Sequence, residues 1–270
     1  MPTVADIRSH DDSDRPLTFL TAYDAPTAAA VDDAGVDMIL VGDSVGNTML
    51  GYDSTLPVTV DEILSHTGAV TRATEDALVI ADMPFMSYGA DPDDAIETAG
   101  RMIKEAGAQA IKHESGHHTI ELTERLVANG IPVMAHLGLS PQKVNTTGDL
   151  TQRATEAEEA EEIMELAKAH EEAGAFAVLL EHIPGNVAKR VTEELSIPTI
   201  GIGAGPDTSG QGLIITDVLG MGDWVPPFAK QYADVQSEME NGIEAYREDV
   251  ESGSFPEEDH YTEESIEGWE

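Results

Sequence analysis

The sequence predicts a single-domain α/β fold, a (β/α)8 TIM barrel. Three observations point there. Short apolar runs that read as buried strands alternate with longer helical stretches along the chain. A junction of helix, glycine stop, two to four residues and strand recurs at Ala34-Gly35, Ala106-Gly107, Asn129-Gly130 and Ala173-Gly174. Finally, five strands end in a group that can bind metal or move a proton: Asp43, Asp82, Glu114, His136 and Glu181. A barrel mouth brings strand ends from many units to one point. An open doubly wound sheet, the alternative, gathers only the loops at its switch point.

The elements follow in order. Residues 1–15 are polar, and 9–14 read as a turn or loop. A first strand is expected over 17–22. Asp24 and Pro26 suit the cap and first turn of a helix over 25–34. Further strands are expected at 38–41, 78–81, 110–112, 133–135, 177–180 and 199–201, with the eighth and weakest at 214–218. Helices are expected at 60–74, 93–106, 119–129, 154–173 and 185–195. The acidic run 155–162 reads as a solvated helix face. Residues 231–246 have amphipathic helical character, and 251–270 form an acidic, loose tail. No linker divides the chain, so one barrel domain is expected over 1–270.

Composition narrows the function. With 270 residues and 41% apolar content the chain can bury a large core. The net charge of -38 sets 52 acidic against 14 basic residues, only six of them lysine. Such a surface repels nucleic acid and anionic membranes. The acids are spread over the whole chain, which suits high salt better than an interaction tail; at 1 M, screening acts over about 3 Å. The absence of cysteine excludes disulfides and thiolate metal sites and suits a cytoplasmic enzyme. No apolar run reaches the roughly 18 residues of a membrane span, and the first residues show no signal peptide.

The strand ends carry the chemistry. Asp43, Asp82 and Glu114 offer oxygen ligands without sulfur, which suits a hard cation such as Mg²⁺. Each acid alone could instead cap a helix. Lys112 lies two residues before Glu114, so both side chains share one strand face. It could hold a substrate carboxylate or pair with Glu114 or Asp82. His113 points the other way, towards the helix layer. Glu181 follows the apolar run 177–180, where burial would raise its pKa and suit it to general base work. His136 could be acid, base, ligand or a hydrogen-bonded structural residue. The glycine-rich stretch 201–206 reads as a tight turn lining the pocket. A hard metal, a lysine and a base suit enolisation of a 2-oxo acid, hence aldol, lyase or isomerase chemistry.

Several stretches resemble one family. They are Thr21-Ala22-Tyr23-Asp24, Leu40-Val41-Gly42-Asp43-Ser44-Val45-Gly46, residues 50–59 (LGYDSTLPVT) and Ala81-Asp82-Met83-Pro84-Phe85-Met86-Ser87-Tyr88. His136-Leu137-Gly138-Leu139-Ser140-Pro141-Gln142, Leu180-Glu181 and residues 198–205 (PTIGIGAG) continue the likeness, which runs from about 15 to 256. The chain resembles ketopantoate hydroxymethyltransferase, in an acidic, haloarchaeal-like version. The resemblance implies transfer of a hydroxymethyl group from 5,10-methylenetetrahydrofolate to 3-methyl-2-oxobutanoate. The product is 2-dehydropantoate, for pantothenate and coenzyme A synthesis. It further implies one Mg²⁺ per subunit among Asp43, Asp82 and Glu114, and contact of Asp43, Ser44, Asp82 and Lys112 with the 2-oxo acid. Glu181 would be the proton acceptor and His136 an accessory pocket residue. The partners would be small molecules, without nucleic acid or membrane, and the chain would form homo-oligomers, often decamers.

Four departures from the family pattern stand out. His113 replaces an apolar residue, Ser115 and Ala135 replace glycines, and 147–156 diverges from a glycine-rich loop. The alternative is another Mg²⁺-dependent carbon–carbon lyase or mutase of the phosphoenolpyruvate/pyruvate barrel type. Such enzymes typically use a reactive cysteine or a different acidic loop.

Overall fold

The computed structural model describes residues 2–10, 15–222 and 224–269. Its strands are β1 (Leu17–Thr21), β2 (Met38–Val41), β3 (Leu78–Asp82), β4 (Ala110–Glu114), β5 (Val133–Gly138), β6 (Ala177–Glu181), β7 (Thr199–Ile202) and β8 (Gly210–Leu213). Its helices are α1 (Val4–Arg8), α2 (Ala25–Asp33), α3 (Val45–Thr48), α4 (Val60–Thr71), α5 (Pro92–Lys104), α6 (Ile120–Ala128), α7 (Val144–Thr147), α8 (Ala157–Glu172), α9 (Gly185–Glu194), α10 (Ile215–Leu219) and α11 (Val235–Ser252). The chain divides into two compact units, Met1–Ile215 and Thr216–Glu270.

In the first unit β1 to β8 form a closed barrel in sequence order, with every neighbouring pair parallel and β8 closing onto β1. The expected (β/α)8 architecture is therefore present. Local chemistry sets the helix starts. The Asp24 side chain accepts from the Thr27 N–H ahead of α2, and Pro26 sits in its first turn. Thr59 and Glu62 form a reciprocal capping box at α4. The repeated glycine stops all adopt left-handed backbone, as at Gly107 with φ 82°. One face of β5 and β6 packs outwards: Ala135, Leu137, Val178 and Leu180 join Ile163 and Leu166 of α8 and Val191 of α9 in one core cluster. The opposite face of those strands is left for the barrel interior.

The eighth strand is a correction. The β-branched run 214–218 largely forms α10, and the strand is Gly210–Leu213, whose sequence GQGL carries no strand signal. Packing demands that composition. A Cβ on Gly210 would lie 2.7 Å from Leu17 Cβ and the Leu17 carbonyl, and one on Gly212 would lie 2.7 Å from Phe19 Cδ1. Barrel closure thus selects glycine where propensity would favour branched residues. Gly212→Ala is expected to lower unfolding stability by about 1–3 kcal/mol through overpacking, read as a reduced denaturant midpoint at unchanged slope.

Two smaller expectations also shift. The polar N-terminal segment contains α1, capped by Thr3 and Asp6. Of the turn expected at 9–14, residues 11–14 lie outside the described residues. The acidic run before Ile163 is exposed along the first turns of α8, as expected of a solvated face. In the second unit, α11 extends to Ser252, and Met239, Ile243, Tyr246 and Val250 on it are exposed. No helix among the described residues is long and apolar enough to cross a membrane.

Candidate active site

The strand-end groups occupy adjacent rungs of the barrel. Asp82 is level with Lys112, Glu114 with His136, and Gly138 with Glu181. Because residues two apart share a strand face, Lys112 and Glu114 both point into the barrel. His113 points to the helix layer, as its contact with Thr123 of α6 shows.

Asp82 and Lys112 meet inside the barrel with Oδ1 and Nζ 2.8 Å apart. The second Asp82 oxygen accepts the Asp43 backbone N–H at 3.1 Å, which fixes the β2 loop against β3. Asp43 and Glu114 are also buried. Lys112 thus forms the internal ion pair that the sequence held open for it. Ser44 lies at the start of α3, 2.8 Å from the Tyr23 hydroxyl. His136 Nε2 stands 3.2 Å from Glu181 Oε2. The Glu181 side chain is 19% exposed, so the carboxylate escapes the deep burial of its own strand and faces the open end.

Electrostatics set these groups apart from surface acids. Burial, reinforced by the Asp82 charge, raises the Asp43 carboxyl well above the usual range. Burial raises Glu114 too, against partial relief from His136. Burial also works against the Lys112 charge, but Asp82 and Asp43 outweigh it and hold the ammonium above its ordinary value. Three carboxyl groups share this buried space with one ammonium, and ionising all three would leave two negative charges unbalanced. Glu114 Oε2 has no hydrogen-bond partner. Among the described residues no group of three His, Asp or Glu side chains has the geometry to hold a metal ion by itself. The structure therefore does not bring the expected trio of Asp43, Asp82 and Glu114 together as a three-ligand set.

Sequence reasoning assigned no role to two residues here. Gln142 joins Asp43 to Glu114: its Nε2 donates to Asp43 Oδ2 at 2.8 Å and its backbone N–H to Glu114 Oε1 at 2.9 Å. Gly138 has φ 102°, and a Cβ there would collide with the Glu181 carbonyl oxygen, so only glycine lets β5 end beside the candidate base. Both lie in quoted motifs, yet neither residue type announces chemistry without coordinates. The 201–206 turn is as tight as expected: Gly205 packs on Gly185 at the start of α9.

Behind the site, two of the family departures make contact with each other. His113 Nδ1 lies 3.1 Å from Ser115 Oγ, and Thr123 Oγ1 lies 3.2 Å from His113 Nε2 and 2.9 Å from His170 Nδ1. Burial lowers His170 to about 4. Below pH 6.5 the unfolded chain therefore takes a proton that the folded chain refuses. Stability should fall as pH drops from 6.5 towards 4, by up to about 3 kcal/mol from this group. Denaturant unfolding of His170→Gln beside the parent protein checks this; the parent should lose more stability over that interval.

A profile of the family described as ketopantoate hydroxymethyltransferase matches residues 2–258. The chain is 60% identical to 3-methyl-2-oxobutanoate hydroxymethyltransferase of Halobacterium salinarum, over 96% of each chain. It is 59% identical to the protein of the same name from Haloarcula marismortui, over 98% of each. Among solved structures, a phosphonopyruvate hydrolase in complex with oxalate and Mg²⁺ has a similar fold, with TM-score 0.62 and 17% identity over 98% of this chain and 92% of that one. The motifs, the barrel and the full-length likeness agree: this chain belongs to the ketopantoate hydroxymethyltransferase family.

Proposed function

We propose that the barrel mouth transfers a hydroxymethyl group to C3 of 3-methyl-2-oxobutanoate through its enolate, with Glu181 as the base. One observation carries this reading. In a chain of this family, buried carboxylates and a lysine line the strand ends, and a less buried carboxylate stands beside a histidine.

The residues present fit a divalent cation. Three carboxyl groups beside one ammonium offer oxygen ligands whose ionised forms a divalent ion would stabilise, and Glu114 Oε2 lacks a partner. Asp43 and Asp82, with Glu114 alongside, would hold Mg²⁺, the remaining ligands coming from water and substrate oxygens. The similar barrel that is a complex with oxalate and Mg²⁺ supports this choice. Bound there, the cation makes the C–H beside the keto group of a 2-oxo acid more acidic.

Lys112 and Ser44 orient the 2-oxo acid, the ammonium by charge and the hydroxyl by hydrogen bonding. Glu181 then removes the C3 proton, and the C–H electron pair becomes the enolate. His136 Nε2 lies 3.2 Å from the Glu181 carboxylate, near enough to orient it by charge when the imidazole is protonated. The enolate carbon bonds to the one-carbon unit of 5,10-methylenetetrahydrofolate, whose two C–N bonds break, one as the ring opens and the other as water supplies the hydroxyl, and the two folate nitrogens take up the protons given by C3 and water. The products are 2-dehydropantoate and tetrahydrofolate.

The enzyme is further proposed to be a cytoplasmic homo-oligomer that works in concentrated salt. The exposed apolar side chains of α11 support association, and the net charge of -38 supports work in salt. The test is product formation by purified protein in molar KCl with defined one-carbon donors. 2-Dehydropantoate should form, stop on chelation and return with Mg²⁺. Phosphonate or carbon–carbon cleavage in its place would favour the lyase or mutase alternative.

A further inference from the structure

Gln142 is buried between two acidic side chains that the proposed mechanism needs. It is not itself a reacting group. Its amide nitrogen donates to Asp43 Oδ2 and, at 3.1 Å, to the Met83 carbonyl. Its amide oxygen accepts the Tyr88 hydroxyl at 2.7 Å. The Met83 carbonyl can only accept, so the nitrogen must face it and the amide cannot flip. Tyr88 completes the lock from the opposite side. The backbone N–H of the same residue takes Glu114 Oε1.

One residue therefore sets the spacing of two carboxylates from different strands. It also decides which oxygen of each is occupied. Asp43 Oδ1 and Glu114 Oε2 are the atoms that it leaves, and Glu114 Oε2 is buried without a hydrogen-bond partner. A carboxylate pinned by one oxygen has lost a torsional freedom that a cation would otherwise have to freeze on binding. The β5 loop, which carries Gln142, thereby reports on the β2 and β4 ends together.

We propose that Gln142 is a positioning residue, locked by Tyr88, that presents chosen oxygens of Asp43 and Glu114 to a divalent cation. This rests on the cation-assisted reading of the site given above. Three properties follow: loss of the amide lowers cation affinity, loss of the Tyr88 hydroxyl does so more weakly, and neither acts through global stability.

The test is calorimetric titration of Mg²⁺ into substrate-free protein in molar KCl, for the parent, Gln142→Ala, Tyr88→Phe and Asp82→Asn. Gln142→Ala is expected to weaken affinity by about tenfold or more, as loss of an outer-shell partner does. Tyr88→Phe should weaken it by a smaller factor in the same direction while keeping its ring against His113, and it carries the test if the alanine variant does not fold. Cation-free melting midpoints should stay near that of the parent. Affinities of both variants within twofold of the parent would overturn the proposal, and so would lowered midpoints at unchanged affinity. If Asp82→Asn abolishes binding while Gln142→Ala retains it, the positioning role fails and the cation site stands. A parent protein that binds no Mg²⁺ overturns both.

Discussion

Glu181→Gln should abolish deuterium exchange at C3 of 3-methyl-2-oxobutanoate in heavy water while the variant still binds the 2-oxo acid. The amide keeps the size and hydrogen-bonding reach of the carboxylate but cannot take a proton. Loss of a general base costs about 10²–10⁴-fold. Exchange needs no one-carbon donor, so it isolates the enolisation step from everything downstream. The ladder fixes the test's geometry: Glu181 is level with Gly138, and its carboxylate lies beside His136 near the open end of the barrel. His136→Gln should slow exchange less, because it removes an orienting contact and leaves the base. Parent-like exchange in Glu181→Gln would take this residue out of the role.

Lys112→Met should have the largest effect on stability. Its ammonium is buried, 2.8 Å from Asp82 Oδ1, and answers the charges of Asp43 and Glu114 as well. Methionine fills much of the same volume without charge. Three buried carboxylates would then face no protein cation, and breaking a buried pair from one side costs about 3–5 kcal/mol. Denaturant unfolding should show that loss. Mg²⁺ should recover part of it, since a bound cation stabilises the state that binds it. A variant as stable as the parent would mean that the charges at this site are not what limits the fold.

Much of this was legible in the sequence because the relevant signals are local. Apolar runs that end in acids mark β2, β3, β4 and β6, and alternation within β4 separates Lys112 and Glu114 from His113. The misses are tertiary in origin. β8 is built from glycines because Leu17 and Phe19 leave no room for side chains, a constraint written in β1 rather than in β8. Gln142 acts through contacts 28 and 99 residues away, and no local pattern encodes such a bridge. Likewise, the tie from Ser115 through His113 and Thr123 to His170 shows only when α6 packs beside α8. Deviations from a motif that look independent along the chain can be partners in space.

In the proposed site, carboxylates from separate strands share one divalent ion at the barrel mouth. Anomalous diffraction from crystals soaked in Mn²⁺, standing in for Mg²⁺, would locate that ion. The expected result is one strong peak per subunit, about 2.1 Å from carboxylate oxygens of Asp43 and Asp82, with Glu114 alongside. A peak elsewhere, or no peak at those side chains in crystals of protein that is active with Mn²⁺, would rule out a shared ion at these strand ends.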